Sequence, residues 1–227
     1  MLKSKKKLYI IPTPIGNLKD ITYRSIYILN KSDLIIVENI YHSLILLKAY
    51  NIKKPLIKYN KNNEKSKIYN IIKYINRNNV ENIALISNAG YPSISDPGYL
   101  LIKTCIKENF YISCLPGSNS ILPSLIVSGF PLNEFMYIGF LTKKNIKKKL
   151  NLIKKKKITI VFYDSPKRFL NTLINLKNII GGNRHIIIYK EISKIYEKII
   201  RGKINNILKK YKDKKIKGEL TYVIKGF

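Results

Sequence analysis

Five short apolar runs in the first half of the chain, each parted from the next by a segment of helical spacing, restrict the fold more than any other feature. Leu8–Ile11, Asp33–Glu38, the weaker "PLIKY", Asn82–Ser87 and Tyr111–Leu115 have strand length, and most are apolar without alternation. Between them the spacing predicts a helix capped by Asp20 or Thr22 and reaching Leu29, and a second from about His42 to Tyr50. A third covers Lys65–Ile75 with Ile68, Ile71, Ile72 and Ile75 on one stripe, and a fourth lies near Tyr99–Lys107. Strands apolar on both sides that alternate with helices predict a parallel sheet covered on both faces.

Beyond Pro131 the pattern changes. "EFMYIGF" and "ITIVFY" read as strands, followed by a helix over about Pro166–Ile180. "RHIIIYKE" and "EKIIRG" lie close enough to pair directly, and "ELTYVIKG" supplies a last strand. Neighbouring strands without long crossovers predict a mixed sheet. The fold class is therefore α/β in two domains: a parallel-sheet N-terminal domain over residues 1–125 and a mixed α/β C-terminal domain over 126–227. The stretch Lys143–Lys157 holds nine lysines interleaved with Ile146, Leu150, Leu152 and Ile153. It reads either as an exposed amphipathic helix with a solvated face or as an RNA-binding patch.

Composition bounds the function. A formal net charge of +30 admits a polyanion partner, because clustered lysines displace counterions from phosphate backbones. Only five of the 43 basic residues are Arg, and Lys, Ile, Asn and Tyr crowd the chain as A/T-rich codons impose on any protein. The charge permits a nucleic acid and does not establish one. Two cysteines make no disulfide framework and show no zinc-like spacing with His, so no metal is expected. Leu8–Ile11 is too short for a signal-peptide core, and no apolar run nears the roughly 18 residues of a membrane span. A cytoplasmic protein with no membrane partner is the expectation.

In open α/β sheets ligands bind outside the carboxyl ends of the strands. Four loops fall there: "PTPIGN", "ENIYHS", "SNAGYPSISDPG" and "PGSNS". Three combine Pro with Gly and so are shaped turns. In the first, the prolines fix φ and Gly16 removes bulk, which suits a wall against which a ligand meets backbone. No G-x-G-x-x-G and no P-loop occurs, so any cofactor is held differently from a dinucleotide or a triphosphate.

The residues "TPIGNLKDIT", Glu38 with His42, "SNAGYPSISDPG", "PGSNS" with "SGF", Gly139–Phe140, "YDSPKR", "KEISK" and "KGE" follow one another in an order that resembles the tetrapyrrole-methylase-like superfamily, and within it the branch that methylates small-subunit ribosomal RNA. The resemblance runs from Leu8 to Gly226. It implies a two-domain fold, a homodimer, S-adenosylmethionine held in the interdomain cleft, and transfer of its methyl to the ribose 2′-oxygen of a cytidine, on ribosomal RNA or on the assembled small subunit. Carried over residue by residue, it implies cofactor contacts from Pro14, Ile15, Gly16, Asn88, Ala89, Gly90, Pro92, Ile94, Ser118, Asn119, Ser120 and Tyr163. The stretch Lys190–Lys194 matches the second domain's side of the cleft.

This chain departs from the pattern at several positions. It has Glu38-Asn39-Ile40-Tyr41 where the family has E-D-T-R, Asn88 and Tyr91 where it has Asp and Thr, and Asp164 where Glu is usual. It also has K-E-I-S-K where the family has R-E-L-T-K. Arg offers a planar fork that Tyr does not imitate, so charge pairs that brace the family's cleft are missing. Methyl transfer to a hydroxyl benefits from a general base. Glu38, closing a buried strand, is the candidate, with His42 as a neighbour able to share the proton. A structural role for Glu38 as acceptor of loop N–H groups, and for His42 as a helix-start residue, stands beside it. Two other functions stay open: another S-adenosylmethionine-dependent enzyme of the superfamily, or a basic RNA-binding protein with reduced activity.

Overall fold

In the computed structural model, which describes residues 6–227, the first apolar runs become β1 (Lys7–Ile11), β2 (Leu34–Val37), β3 (Leu56–Lys58), β4 (Asn82–Ile86) and β5 (Tyr111–Cys114). They form one sheet of order β3-β2-β4-β1-β5, parallel throughout. Helices α1 (Tyr23–Lys31), α2 (Ile40–Ala49), α3 (Glu64–Arg77) and α4 (Tyr99–Lys107) make the crossovers. Successive side chains of a strand point to opposite faces, and the core divides accordingly. Leu34, Ile36, Ile83 and Leu85 pack with Ile71, Ile72 and Ile75 of α3 and with Leu101 and Cys105 of α4. Ile35, Val37, Ala84 and Ile86 pack with Leu29 of α1 and Leu46 and Leu47 of α2.

Local chemistry sets the boundaries. The Thr22 hydroxyl accepts from Ser25 N–H at 3.1 Å and caps α1, so Thr22 rather than Asp20 performs that role. Asp33 Oδ2 accepts from Glu81 N–H and Asn82 N–H at 3.1 and 2.8 Å, which ties the start of β2 to that of β4. The N-cap position of α4 falls on Gly98, and the Glu64 carboxylate at the start of α3 takes up its opening N–H groups, Gly98 at 3.2 Å and Leu100 at 3.4 Å. The Tyr59 hydroxyl donates to the same oxygen at 3.1 Å. Burial, reinforced by Glu64, pushes the Tyr59 phenol well above its ordinary value.

The second unit spans Ser120–Phe227 and carries β6 (Phe135–Phe140), β7 (Thr159–Asp164), β8 (His185–Lys190), β9 (Lys198–Lys203) and β10 (Leu220–Ile224) in the order β6-β7-β10-β8-β9. The β6/β7 pair is parallel and the other three pairs are antiparallel, which makes the sheet mixed. One face is covered by α6 (Ile146–Ile153), α7 (Phe169–Ile180) and α8 (Ile204–Tyr211), the other by α5 (Ile121–Ser128). The first unit ends at Asn119, so the division lies there and not at residue 125, which is inside α5. The reason is packing: Leu125 is buried against Val161, Ile187 and Val223 of the second sheet. Within the lysine-rich stretch Ile146–Ile153 forms a helix, and Leu150 and Ile153 of it are fully buried, so only one side of it is a solvated face.

Asp164 is buried at the end of β7 and accepts from Ser165 N–H and Arg168 Nε, both at 2.8 Å, and from the Thr172 hydroxyl. It therefore fastens the 3-10 turn at Pro166–Arg168 to α7. Among the described residues no helix is long and apolar enough to cross a membrane.

Candidate active site at the edge of the first sheet

Because the first sheet is wholly parallel, the loops leaving β1, β2, β4 and β5 emerge at one edge. The chain leaves β1 and β2 toward the α1/α2 face but leaves β4, which lies between them, toward the α3/α4 face. A crevice opens where neighbouring connections diverge in this way, and β4 has one on each side.

The β1 and β4 loops are laced together. Thr13 N–H donates to Gly90 O at 3.0 Å, and Gly90 N–H returns a bond to Thr13 O at 2.9 Å. The buried Thr13 hydroxyl donates to Ser87 O at 3.0 Å, and the buried Ser87 hydroxyl donates to Gly90 O at 2.9 Å. Gly90 sits at φ +74°, and a side chain there would meet Ile15 Cγ2 at 3.6 Å and Ser118 O at 3.7 Å. The β1 and β5 loops thus both come within van der Waals reach of one glycine of the β4 loop.

The β5 loop is held from two sides. Gly117 N–H donates to the Tyr91 hydroxyl at 2.9 Å, and the Ser118 hydroxyl donates to Asp20 O at 2.7 Å. Gly117 also lies so close to Pro12 that an added Cβ would fall 2.5 Å from the proline Cγ. Tyr91, one of the departures from the family pattern, is therefore a tether between the β4 and β5 loops. In the β4 loop Ser93 and Ser95 adopt φ of +71° and +68°, a region that side-chain-bearing residues seldom occupy and that clusters at functional sites.

The β2 loop brings the carboxylate. Glu38 is half-buried, and its Oε2 accepts from Asn88 N–H at 3.2 Å, while Oε1 has no hydrogen-bond partner among the described residues. His42 is exposed in the first turn of α2, where Asn39 caps its backbone N–H at 3.3 Å. Its Nε2 lies 3.0 Å from Asn88 O. A carbonyl only accepts, so Nε2 carries the proton there and Nδ1 is the ring's acceptor when neutral. Asn88 thus joins Glu38 and His42 through its backbone, and its side-chain Oδ1 is buried with no hydrogen-bond partner.

Of the residues singled out from the sequence, the first unit gathers Glu38, Pro14, Ile15, Gly16, Asn88, Ala89, Gly90, Pro92, Ile94, Ser118 and Asn119 on these loops, with His42 in the first turn of α2, at one edge. Pro92 is buried, whereas Gly16 and Ile94 are exposed. Ser120 and Tyr163 belong to the second unit, where the Ser120 hydroxyl donates to the Tyr163 hydroxyl at 3.0 Å. In that unit the K-E-I-S-K stretch is a braced turn with Glu191 and Ser193 at φ +53° and +62°. Lys194 Nζ bonds both Glu191 Oε1 and Glu219 Oε2, at 3.1 and 3.0 Å, and Glu197 takes the Tyr189 hydroxyl at 2.6 Å and Ser193 N–H at 2.7 Å. Burial, with Glu197 beside it, pushes the Tyr189 phenol up to about 12. Thr13, Ser87, Ser93 and Ser95 were not singled out from the sequence. The signal that points to the first two is position alone: each directly follows an apolar run and precedes a Pro- or Gly-containing turn.

Residues 7–208 match the family described as tetrapyrrole (corrin/porphyrin) methylases. The chain belongs to that family. Curated relatives align over nearly its full length. A ribosomal RNA small subunit methyltransferase I from Thermotoga maritima is 39% identical over 221 residues, covering 97% of this chain and 98% of the relative. The protein of the same name from Buchnera aphidicola subsp. Schizaphis graminum is 44% identical over 225 residues, covering 97% and 78%. Among solved structures, a cobalt precorrin-4 methyltransferase superposes with a TM-score of 0.68 over 99% of this chain and 97% of that one at 14% identity. A diphthine synthase gives 0.70 over 97% and 90% at 13% identity. At such identities these two establish the shared tetrapyrrole-methylase fold alone.

Proposed function

We propose that this chain transfers a methyl group from S-adenosylmethionine to the ribose 2′-oxygen of a cytidine in small-subunit ribosomal RNA. Relatives named for small-subunit ribosomal RNA methylation, at 39–44% identity over nearly the whole chain, support the substrate class. The observation that carries the reading is the meeting of Glu38, His42 and Asn88 beside the backbone-rich rim at the β4 crevice.

The rim residues fit the donor. Asn88 Oδ1 is a buried acceptor without a partner, suited to an ammonium or hydroxyl group. Pro14, Ile15 and the 45%-exposed Ile94 offer apolar surface, and Gly90 leaves backbone approachable. S-adenosylmethionine supplies an electrophilic methyl on a cationic sulfur. Glu38 Oε1 takes the proton of the attacking hydroxyl, while its Oε2 bond to Asn88 N–H fixes the direction of the carboxylate. His42, held through Nε2, orients the Asn88 carbonyl and so positions the loop. Asn39 caps α2 as an Asp in its place would, so that departure leaves the helix start intact.

A cytoplasmic homodimer belongs to the same reading. It is supported by exposed apolar side chains in the second unit, Ile126 at 70% and Ile195 at 95%, which a second copy would cover.

Glu38→Gln tests the assignment. Glutamine keeps an oxygen for Asn88 N–H and loses the base, so turnover on small-subunit ribosomal RNA falls by about 10²–10⁴ while calorimetric affinity for S-adenosylmethionine holds. Unchanged turnover removes Glu38 from the chemistry. Loss of donor binding together with turnover assigns it the structural role instead.

A further inference from the structure

We infer that the outer face of α3 and α4 is the surface on which the RNA substrate docks; the inference rests on the ribosomal RNA reading above. The two helices pack side by side on the same face of the first sheet. Each presents a tyrosine to solvent with a lysine one turn later whose ammonium lies over its ring. Lys73 Nζ is 5.7 Å from the Tyr69 centroid and Lys103 Nζ is 5.9 Å from that of Tyr99. Tyr69 is 71% exposed and Tyr99 60%, so the outer face of each ring stays open. An open aromatic plane beside a cation matches the two things single-stranded RNA offers, a base to stack and a phosphate to neutralise.

Charge on this face is predominantly basic. Lys65, Lys67, Lys73 and Arg77 of α3 and Lys103 and Lys107 of α4 stand against one acid within the two helices, Glu64. Glu64 is engaged with Tyr59, Gly98 and Leu100, and the exposed Glu108 follows directly at the C-cap of α4, so six cations stand against two acids. An ordinary solvated helix face interleaves both signs. This one is also continuous with the active-site rim: Lys61 Nζ donates to Ser95 O at 2.6 Å, and Tyr99 directly follows the loop that contains Asn88 and Gly90. RNA bound across α3 and α4 is thereby led to the β4 crevice.

A control lies within the molecule. Tyr27 and Lys31 of α1 form the same pair, with the ammonium 6.0 Å from a 61%-exposed ring, but on the opposite face of the sheet. Compositional bias toward Lys and Tyr acts on both faces alike, whereas a docking surface does not.

The test uses the full chain and a small-subunit ribosomal RNA transcript, with filter binding across a salt series and no methyl donor. Lys65→Gln with Lys73→Gln and Lys103→Gln should lower the slope of log affinity against log salt by about two and weaken binding at least tenfold. Tyr69→Ala with Tyr99→Ala should weaken binding about tenfold or more and leave the slope in place. Tyr27→Ala with Lys31→Gln should bind as wild type. In methyl-incorporation assays the α3/α4 variants should raise KM for RNA, keep kcat, and bind S-adenosylmethionine unchanged. Wild-type affinity and slope in the α3/α4 variants, or an equal loss in the α1 control, overturns the inference. If those variants lose RNA affinity but wild-type protein adds no methyl to the RNA, the reaction fails and the docking surface stands. If methyl is added and the variants bind as wild type, the docking surface alone fails.

Discussion

Gly117→Ala isolates the interlocking of the active-site loops. Gly117 is absent from the glycines at positive φ, so alanine can adopt its backbone angles and only the new methyl matters. That methyl would sit 2.5 Å from Pro12 Cγ and 3.3 Å from Pro12 Cβ. Carbon atoms settle at about 3.5–4.0 Å, so roughly 1 Å must be found. The proline ring cannot rotate away. Pro12 is itself buried, and the residue after it is locked to Gly90 by paired hydrogen bonds. The β5 loop must then part from the β1 loop, straining the Gly117 N–H bond to Tyr91. Overpacking of this kind costs about 1–3 kcal/mol of stability. On the reading proposed above these loops hold the methyl donor, and affinity for S-adenosylmethionine should then fall at least about tenfold, or about 1.4 kcal/mol. Gly129→Ala is the reference: at φ +67° with nothing within 4 Å, it meets backbone strain of about 1–2 kcal/mol without a clash. Denaturant unfolding and calorimetric titration read the two quantities. Gly129→Ala should lose stability and keep donor affinity, whereas Gly117→Ala should lose both. A Gly117→Ala protein that is destabilised yet binds the donor as wild type refutes the placement of the donor on these loops.

Two predictions concern the second unit. The Tyr222 hydroxyl is buried without a partner, under a ring stacked 4.9 Å from Phe162. Burial and the nearby Asp164 charge push its phenol well above the ordinary value. Tyr222→Phe keeps the stack and removes the unpaired group, so it should raise unfolding stability by about 1 kcal/mol; a drop would mean the hydroxyl is satisfied. Burial alone would raise the Glu191 carboxyl, but Glu219 N–H and Lys194 outweigh it and hold the group below its ordinary 4.5. A depressed carboxyl stabilises the fold above its unfolded value and loses that contribution as pH falls through the folded value. Lys194→Met should therefore lower stability at neutral pH and shrink the stability lost on acidification in pH-dependent unfolding; an acid loss as large as that of the wild type contradicts the pairing.

The β/α alternation was legible because strands of a parallel sheet, buried on both faces, must be continuously apolar, as in Leu34–Val37 and Ile83–Ile86. Two helices were not. α5 is so apolar that it shows no helical stripe, and its Pro123 reads as a breaker, although in a first turn the missing N–H goes unused. α8 is eight residues long and begins directly where β9 ends, so its buried Ile204, Ile207 and Tyr211 are easily taken for part of a loop. The rim loops announced themselves through Pro and Gly. What fastens them did not, because Thr13 meets Gly90 and Glu38 meets Asn88 only once β1, β2 and β4 lie side by side in register. Likewise the Glu64 clamp on α4 follows from α3 packing on α4, which no local pattern encodes.

The most direct measurement is a map of ribose 2′-O-methylation on small-subunit ribosomal RNA incubated with the purified protein and S-adenosylmethionine. One newly methylated cytidine, lost with Glu38→Gln, is the predicted outcome. RNA left unmethylated by protein that binds both donor and RNA would contradict it.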